Sequence, residues 1–495
     1  MNGKVTKGIF LGLLLILCMS VAVATDVSED TTSDVEIQSL SDNSETVYDD
    51  VNEVSNIDTV KENNLRSVNP ITSDVVIDSS YDNQEFDVTS NVRITSNVAQ
   101  SNNIKFNLNG NNITIDGLNI VNDETQPIAI NAIQNSQDIN IINTNITIVN
   151  IEETETMGIV LNNSQNVLVE NCTVDISAVS QPLYIYNETT QDYDYSLKTS
   201  AILVDGGNNI SLNTNTVNIA NSTNNGSSSG TGEAITVRNN ANNVHVTNNI
   251  VSGENFPYTY AINIYGVSNL VLVENNSINL TSGNYICGIQ LTSTSNSIVR
   301  RNNINGTCSA ISGQCASSEA FAYGIVLSSS YKPSSSESTN NLIEFNNINL
   351  NSNVTFGIEL NIADGSKVYN NTVDVNGEVV MALGIYNSSR CIIKENNLTV
   401  SGNTRDLNPW AYDAIGPETT GIKIINDGNK TSDENIIMSN IIQVSDVGEV
   451  DNCYSVILIG TTNSQVTYNV LSADETGDNS VYYNHSGSDY VKFNT

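Results

Sequence analysis

Few residues in this chain have the types and spacing that chemistry requires. Its two histidines are His245 and His485, and only seven arginines stand among 18 basic residues, against 54 acidic ones. His245 lies between Val244 and Val246, so strand alternation turns it toward solvent, which is an ordinary place for a surface histidine. A general acid–base pair needs two carboxyl groups brought together. Stacking of neighbouring segments could join such carboxylates, Glu359 with Asp364 for example. Oxygen ligands alternate in Asp427-Gly-Asn429-Lys-Thr431-Ser-Asp433-Glu434, which resembles a calcium loop, but the sharp-turn glycine at the sixth position is replaced by Ser432. Calcium at Asp427, Asn429 and Asp433 therefore competes with a solvated polar loop, and no other cofactor is expected. Of the seven cysteines, only Cys308 and Cys315 are close enough in sequence to staple one loop. With no CxxC and no Cys/His cluster, a zinc or iron–sulfur centre is not expected.

Binding chemistry is better represented. Aromatic residues gather in polar stretches: Tyr184, Tyr186, Tyr193 and Tyr195; Phe256, Tyr258 and Tyr260; Phe321 and Tyr323; Trp410 and Tyr412. Tyr285 and Tyr454 occupy matching places. Aromatic faces beside amides and hydroxyls suit sugar rings, which stack on their apolar side and hydrogen-bond through the rest. Packing of loops onto a core is the competing use of the same rings.

The elements that must carry these residues follow from composition and repetition. The net charge of −36 excludes a basic nucleic-acid binder, although only 15% of residues are charged. Polarity comes instead from 80 Asn and 57 Ser, which compete with helix backbone bonds, while Ile and Val recur in short β-patterned runs. A small residue followed by alternating apolar positions recurs as Gly158-Ile159, Ala261-Ile262, Gly288-Ile289, Gly324-Ile325, Gly357-Ile358, Gly384-Ile385 and Gly421-Ile422. Each anchor precedes a second apolar run ending in Asn, at Asn215, Asn249, Asn276, Asn303, Asn347, Asn371, Asn397 and Asn440, and then a third short run. The bare unit is about 27 residues, and longer spacings carry insertions.

Three strand-like runs per unit and no helical pattern predict an all-β fold, a parallel β-helix of about a dozen three-strand coils over residues 71–495. Variable spacing argues against a leucine-rich repeat, which keeps a fixed period. Asn at the coil corner has two reasons to recur: it tolerates left-handed backbone, and its amide can bond the same Asn one coil away. Alternation then sets an outward row of the anchor strands, Asn263, Gln290, Val326, Glu359, Tyr386 and Lys423, beside the aromatic insertions.

The N-terminus reads as an export signal over residues 1–24: Lys4 and Lys7, then an apolar stretch from Ile9 to Ala22, then Ala22-Val23-Ala24 for cleavage. Residues 25–70 read as a flexible acidic spacer, with 12 acidic and 2 basic side chains from Asp26 to Arg66. No transmembrane segment is expected in the mature chain.

The signal, the spacer, the Gly-Ile-x-Leu … Asn-Asn-x-Ile coils and Asn112-Ile113-Thr114-Ile115-Asp116-Gly117-Leu118-Asn119-Ile120 resemble archaeal adhesin-like proteins built of right-handed parallel β-helix repeats of the pectate-lyase-like superfamily. That solenoid serves lyases, hydrolases, epimerases and adhesins, so the resemblance speaks for architecture. The hydrolase members' Asn-Thr-Asp, Asp-Asp and Gly-His-Gly motifs have no counterpart on the expected coils, and no clustered Asp/Arg set of the lyase kind is found. The expectation is an extracellular, secreted or cell-surface adhesin-like protein that binds a glycan or cell-surface partner without catalysis. Its candidate binding residues are Trp410, Tyr412, Tyr386, Asn263, Gln290, Glu359, Lys423, Tyr258 and Tyr260. A carbohydrate-active enzyme on the same scaffold is the alternative.

Overall fold

The computed structural model describes residues 68–152, 154–179, 184–187, 192–195, 199–222, 230–266, 269–309, 320–329, 338–403, 419–426, 431–446, 453–473, 481–484 and 488–495. Three long parallel sheets dominate it. Sheet A runs through 15 strands from Val68–Ile71 to Val481–Asn484, and sheet B through 15 strands from Val75–Ile77 to Tyr490–Lys492. Sheet C has 13, from Ser101–Asn102 to Val470–Ala473. The chain visits A, B and C in turn and then climbs one rung, so every strand pairs in parallel with its counterpart a coil away. This is the expected parallel β-helix. The only other sheet among the described residues is an antiparallel pair, Tyr184–Asn187 with Asp192–Tyr195, and the only helical element is a single 3-10 turn at Ser79–Tyr81.

The stack has about three more rungs than the sequence pattern counts. In the rungs of Phe86 and Phe106 an aromatic side chain occupies the isoleucine column, and Glu85 and Lys105 stand where the small residue would be. Strand Val68–Ile71 also begins inside the interval read as spacer.

Stacking converts the repeat into columns. One inward column runs from Phe86 and Phe106 through Ile130, Ile159, Ile202, Ile235, Ile262, Ile289, Ile325 and Ile358 to Leu383, Ile422 and Val456, each no more than 2% exposed. Burying each such side chain contributes roughly 1.5–3 kcal/mol against the entropy of ordering the coil. The residue before it is small because two successive side chains face the core there. A Cβ on Gly324 would lie 2.4 Å from the Gly357 carbonyl oxygen and 2.7 Å from Ile348 Cγ2.

At the corner between sheets B and C the two jobs expected of one asparagine fall to neighbouring residues. The left-handed position is held by Asn248, Asn275, Arg301, Phe345, Asn370, Glu395, Ser439, Tyr468 and Phe493, with φ between 54° and 61°. The next residue turns inward and forms an unbroken ladder: Asn215, Asn249, Asn276, Asn302, Asn346, Asn371, Asn396, Asn440, Asn469 and Asn494. Above Asn215, whose oxygen accepts from the Cys172 N–H, each side-chain oxygen accepts from both the backbone N–H and the amide of the Asn one coil below, at about 2.9–3.0 Å. The amide's second hydrogen goes to a core-strand carbonyl, as from Asn346 to Val299. Asn303, Asn347 and Asn397 are thus one residue off the ladder, which Asn302, Asn346 and Asn396 occupy.

Candidate functional site

The outer face of sheet A gathers the aromatic and polar candidates. Tyr258, Tyr285, Phe321, Val354 and Val379 are partners in register and form one outward column. Tyr260, Cys287, Tyr323, Phe356 and Met381 form the next. The rings run along the stack in mutual contact. Tyr258 and Tyr260 each meet Tyr285, at centroid distances of 5.6 and 5.4 Å; Tyr285 meets Tyr323 at 5.3 Å; Tyr323 stacks on Phe356 at 4.9 Å and 9° between planes. Val354, Phe356, Val379 and Met381 close the upper end as a small apolar cluster of their own.

Phe356 was not singled out by sequence. Its signal was available, because Tyr260 and Tyr323 also stand directly before the small anchor residue. Phe256, by contrast, is fully buried, and a Cβ on Gly232 would press into its ring, so it belongs to the core. Tyr454 continues the second column higher in the stack and contacts Tyr482 at 5.2 Å. Trp410 and Tyr412 lie outside the described residues, as do the side chains of Tyr184, Tyr186, Tyr193 and Tyr195.

Beside the rings runs the polar row: Asn263, Gln290, Val326, Glu359, then Gly384 and Lys423. Tyr386 does not belong to it. Its register partners are Asn361 and Ile425, because the anchor of that coil is Ala382-Leu383 and the sequence Gly384-Ile385 imitates it two residues late. The Tyr386 ring folds back across Gly384, where a Cβ would lie 2.7 Å from Cε2, and its hydroxyl contacts Met381 Sδ at 3.7 Å.

Glu359 is the distinctive member. Its row neighbours are Val326 and Gly384, and burial pushes its carboxyl up to about 7, with a hydrogen bond from Asn361 opposing the rise. Lower in the row, Asn263 Nδ2 donates to Glu233 Oε1 at 3.1 Å, and Thr236 donates to the other oxygen of that buried carboxylate. Gln290 Nε2 donates to Thr292 Oγ1 at 3.1 Å. Lys423 is buried at the upper end. Asp364 does not join Glu359: its oxygens accept from the Ser389 N–H at 2.8 Å and the Arg390 guanidinium at 3.3 Å.

The remaining candidates fall elsewhere. Asp433 serves a coil corner, accepting from the Thr462 N–H at 2.9 Å while its own N–H goes to Ser389 Oγ; Asp427 and Asn429 lie outside the described residues. Cys308 is buried, and Cys315 lies outside the described residues. Cys172 and Cys391 are buried thiols, pushed up to about 11 and about 12 chiefly by burial, so neither is a nucleophile at neutral pH. His245 is exposed, as alternation requires, and His485 lies outside the described residues.

The architecture is therefore a parallel β-helix whose anchor-strand face carries a ring ladder beside a row of buried polar groups. No family model and no curated protein matches the sequence. Three solved structures are similar to it over most of its length. A tailspike protein of E. coli bacteriophage HK620, in complex with a pentasaccharide, aligns over 86% of this chain and 74% of its own at 11% identity and a TM-score of 0.42. The A-module of the Azotobacter vinelandii mannuronan C-5 epimerase AlgE6 aligns over 76% and 90%, at 10% identity and 0.39. The periplasmic alginate epimerase AlgG aligns over 83% and 77%, at 12% and 0.33.

Proposed function

We propose that this is an exported, extracellular or surface-associated adhesin-like protein that holds glycans on the outer face of sheet A without transforming them. The observation that carries the reading is the continuous ladder Tyr258–Tyr285–Tyr323–Phe356 beside Asn263, Gln290 and Glu359. The rings, one beside the next along the rungs, offer an apolar strip to successive sugars, and the polar row offers hydrogen bonds. Export by residues 1–24, an acidic spacer to about residue 70 and further ring contacts from Trp410 and Tyr412 belong to the same proposal. Among the described residues no helix is long and apolar enough to cross a membrane.

One observation favours the enzyme reading: Glu359 holds its proton to near neutral pH, as a general acid must. An array of polysaccharides scored for both retention and new reducing or unsaturated ends separates the two. Retention without new ends supports the binding reading, whereas cleavage abolished by Glu359→Gln sinks it. Unchanged retention by a folded Trp410→Ala/Tyr412→Ala variant removes those two residues from the face.

A further inference from the structure

Resting on that reading, the outer face of sheet A also specifies what its ligand must offer. Three amides beside the ring ladder each donate one hydrogen to a protein acceptor and keep a buried, unpartnered oxygen. Asn263, 5% exposed, donates to Glu233, and its Oδ1 has no partner. Gln290, 4% exposed, donates to Thr292, and its Oε1 has none. Asn361 donates to Glu359, and its Oδ1 has none. For Asn263 this orientation follows from its partner: both oxygens of Glu233 accept, one from Asn263 and one from Thr236, so turning the amide over would set oxygen against oxygen. A buried acceptor without a donor costs roughly 1–3 kcal/mol, and three on one face are an uncompensated demand for donors.

We infer that these oxygens form a subsite for the hydroxyl groups of a neutral polyhydroxyl sugar, and that the same floor rejects uronates and other anionic glycans. A hydroxyl supplies one donor to each oxygen while the sugar rests against the edges of the Tyr285 and Tyr323 rings, whose faces meet their neighbours in the ladder. A carboxylate or sulfate supplies only acceptors, and meets Glu233 and Glu359 besides. A metal ion is the other electropositive ligand such oxygens accept. Here the rung of Val326 separates Gln290 from Asn361, so the acceptors from Asn263 to Asn361 spread over three rung steps, roughly 14 Å, instead of converging on one point.

The test measures retention of the full chain on uncharged glucan, mannan and galactan and on polygalacturonate and alginate, each with calcium and with EDTA. The expected result is retention on an uncharged polymer, insensitive to EDTA, and weakened about tenfold by Gln290→Leu in a variant whose thermal unfolding is unchanged. Preference for the polyuronates overturns the inference. So does EDTA-sensitive retention, or a folded Gln290→Leu variant that binds as before. Each of those outcomes leaves glycan binding standing. Retention on no polysaccharide at all removes the parent reading along with the subsite.

Discussion

Replacing Glu359 by Gln should stabilise its rung at alkaline pH and do almost nothing in acid. The carboxyl sits between Val326 and Gly384, and burial raises its folded-state value from 4.5 to about 7. A raised value means that the folded protein holds the proton more tightly than the unfolded chain. The resulting stability is fully present below about pH 4.5 and is lost as pH rises through about 7. The difference is worth about 3 kcal/mol. Gln is nearly isosteric and neutral, so it escapes the loss. Glu155 is also raised to about 7, chiefly by burial with Arg238 opposing, but it is common to both proteins and cancels in the comparison. Because a solenoid opens locally, the informative assay is native-state hydrogen exchange in strand Val354–Asn361. Protection in the variant should exceed wild type by about a hundredfold at pH 8, and the two should converge near pH 4.5, after correction for intrinsic exchange. A difference independent of pH, or a wild-type rung better protected at pH 8, would refute the burial argument.

Three further outcomes follow from the same geometry. Asn346→Ala removes the oxygen that accepts from the Asn302 N–H and amide and the nitrogen that reaches Val299, so the two adjoining rungs should lose about 2–4 kcal/mol, read by urea unfolding. Gly324→Ala drives a methyl group against the Gly357 carbonyl and Ile348 and should cost about 1–3 kcal/mol, seen as a lower midpoint by calorimetry. Phe345 spends a bulky, 49% exposed side chain on left-handed backbone at φ 57°, so Phe345→Asn should raise stability by about 1 kcal/mol; a fall would show that the exposed ring contributes packing.

The fold was legible because the solenoid repeats its demands. Gly-Ile anchors and Asn corners mark columns that run the length of the stack, and a pattern repeated in every coil survives local exceptions. The errors arose where two adjacent residues fit the same rule. Asn302-Asn303, Asn346-Asn347 and Asn396-Asn397 offer two candidates for one ladder position, and only backbone geometry tells which turns inward. Gly384-Ile385 imitates an anchor that Ala382-Leu383 supplies, which displaced Tyr386 from its true column. The ring ladder was half visible: Tyr258, Tyr260, Tyr285 and Tyr323 stood out, whereas Phe356 carried no polar insertion to draw notice. The state of Glu359 was beyond sequence reading, since it depends on Val326 and Gly384 arriving at its sides from coils that sequence separates by 33 and 25 residues.

Glycan binding by the sheet A face is tested most directly by titrating the wild-type chain and a Tyr323→Ala variant with whichever polysaccharide of the array is retained. Tyr323 bridges Tyr285 and Phe356, so its loss breaks the ladder at its middle. Affinity should fall about tenfold, in keeping with the loss of one stacked ring, while unfolding of the core is nearly unaltered. Equal affinity in a folded variant would contradict the claim that this face holds the ligand.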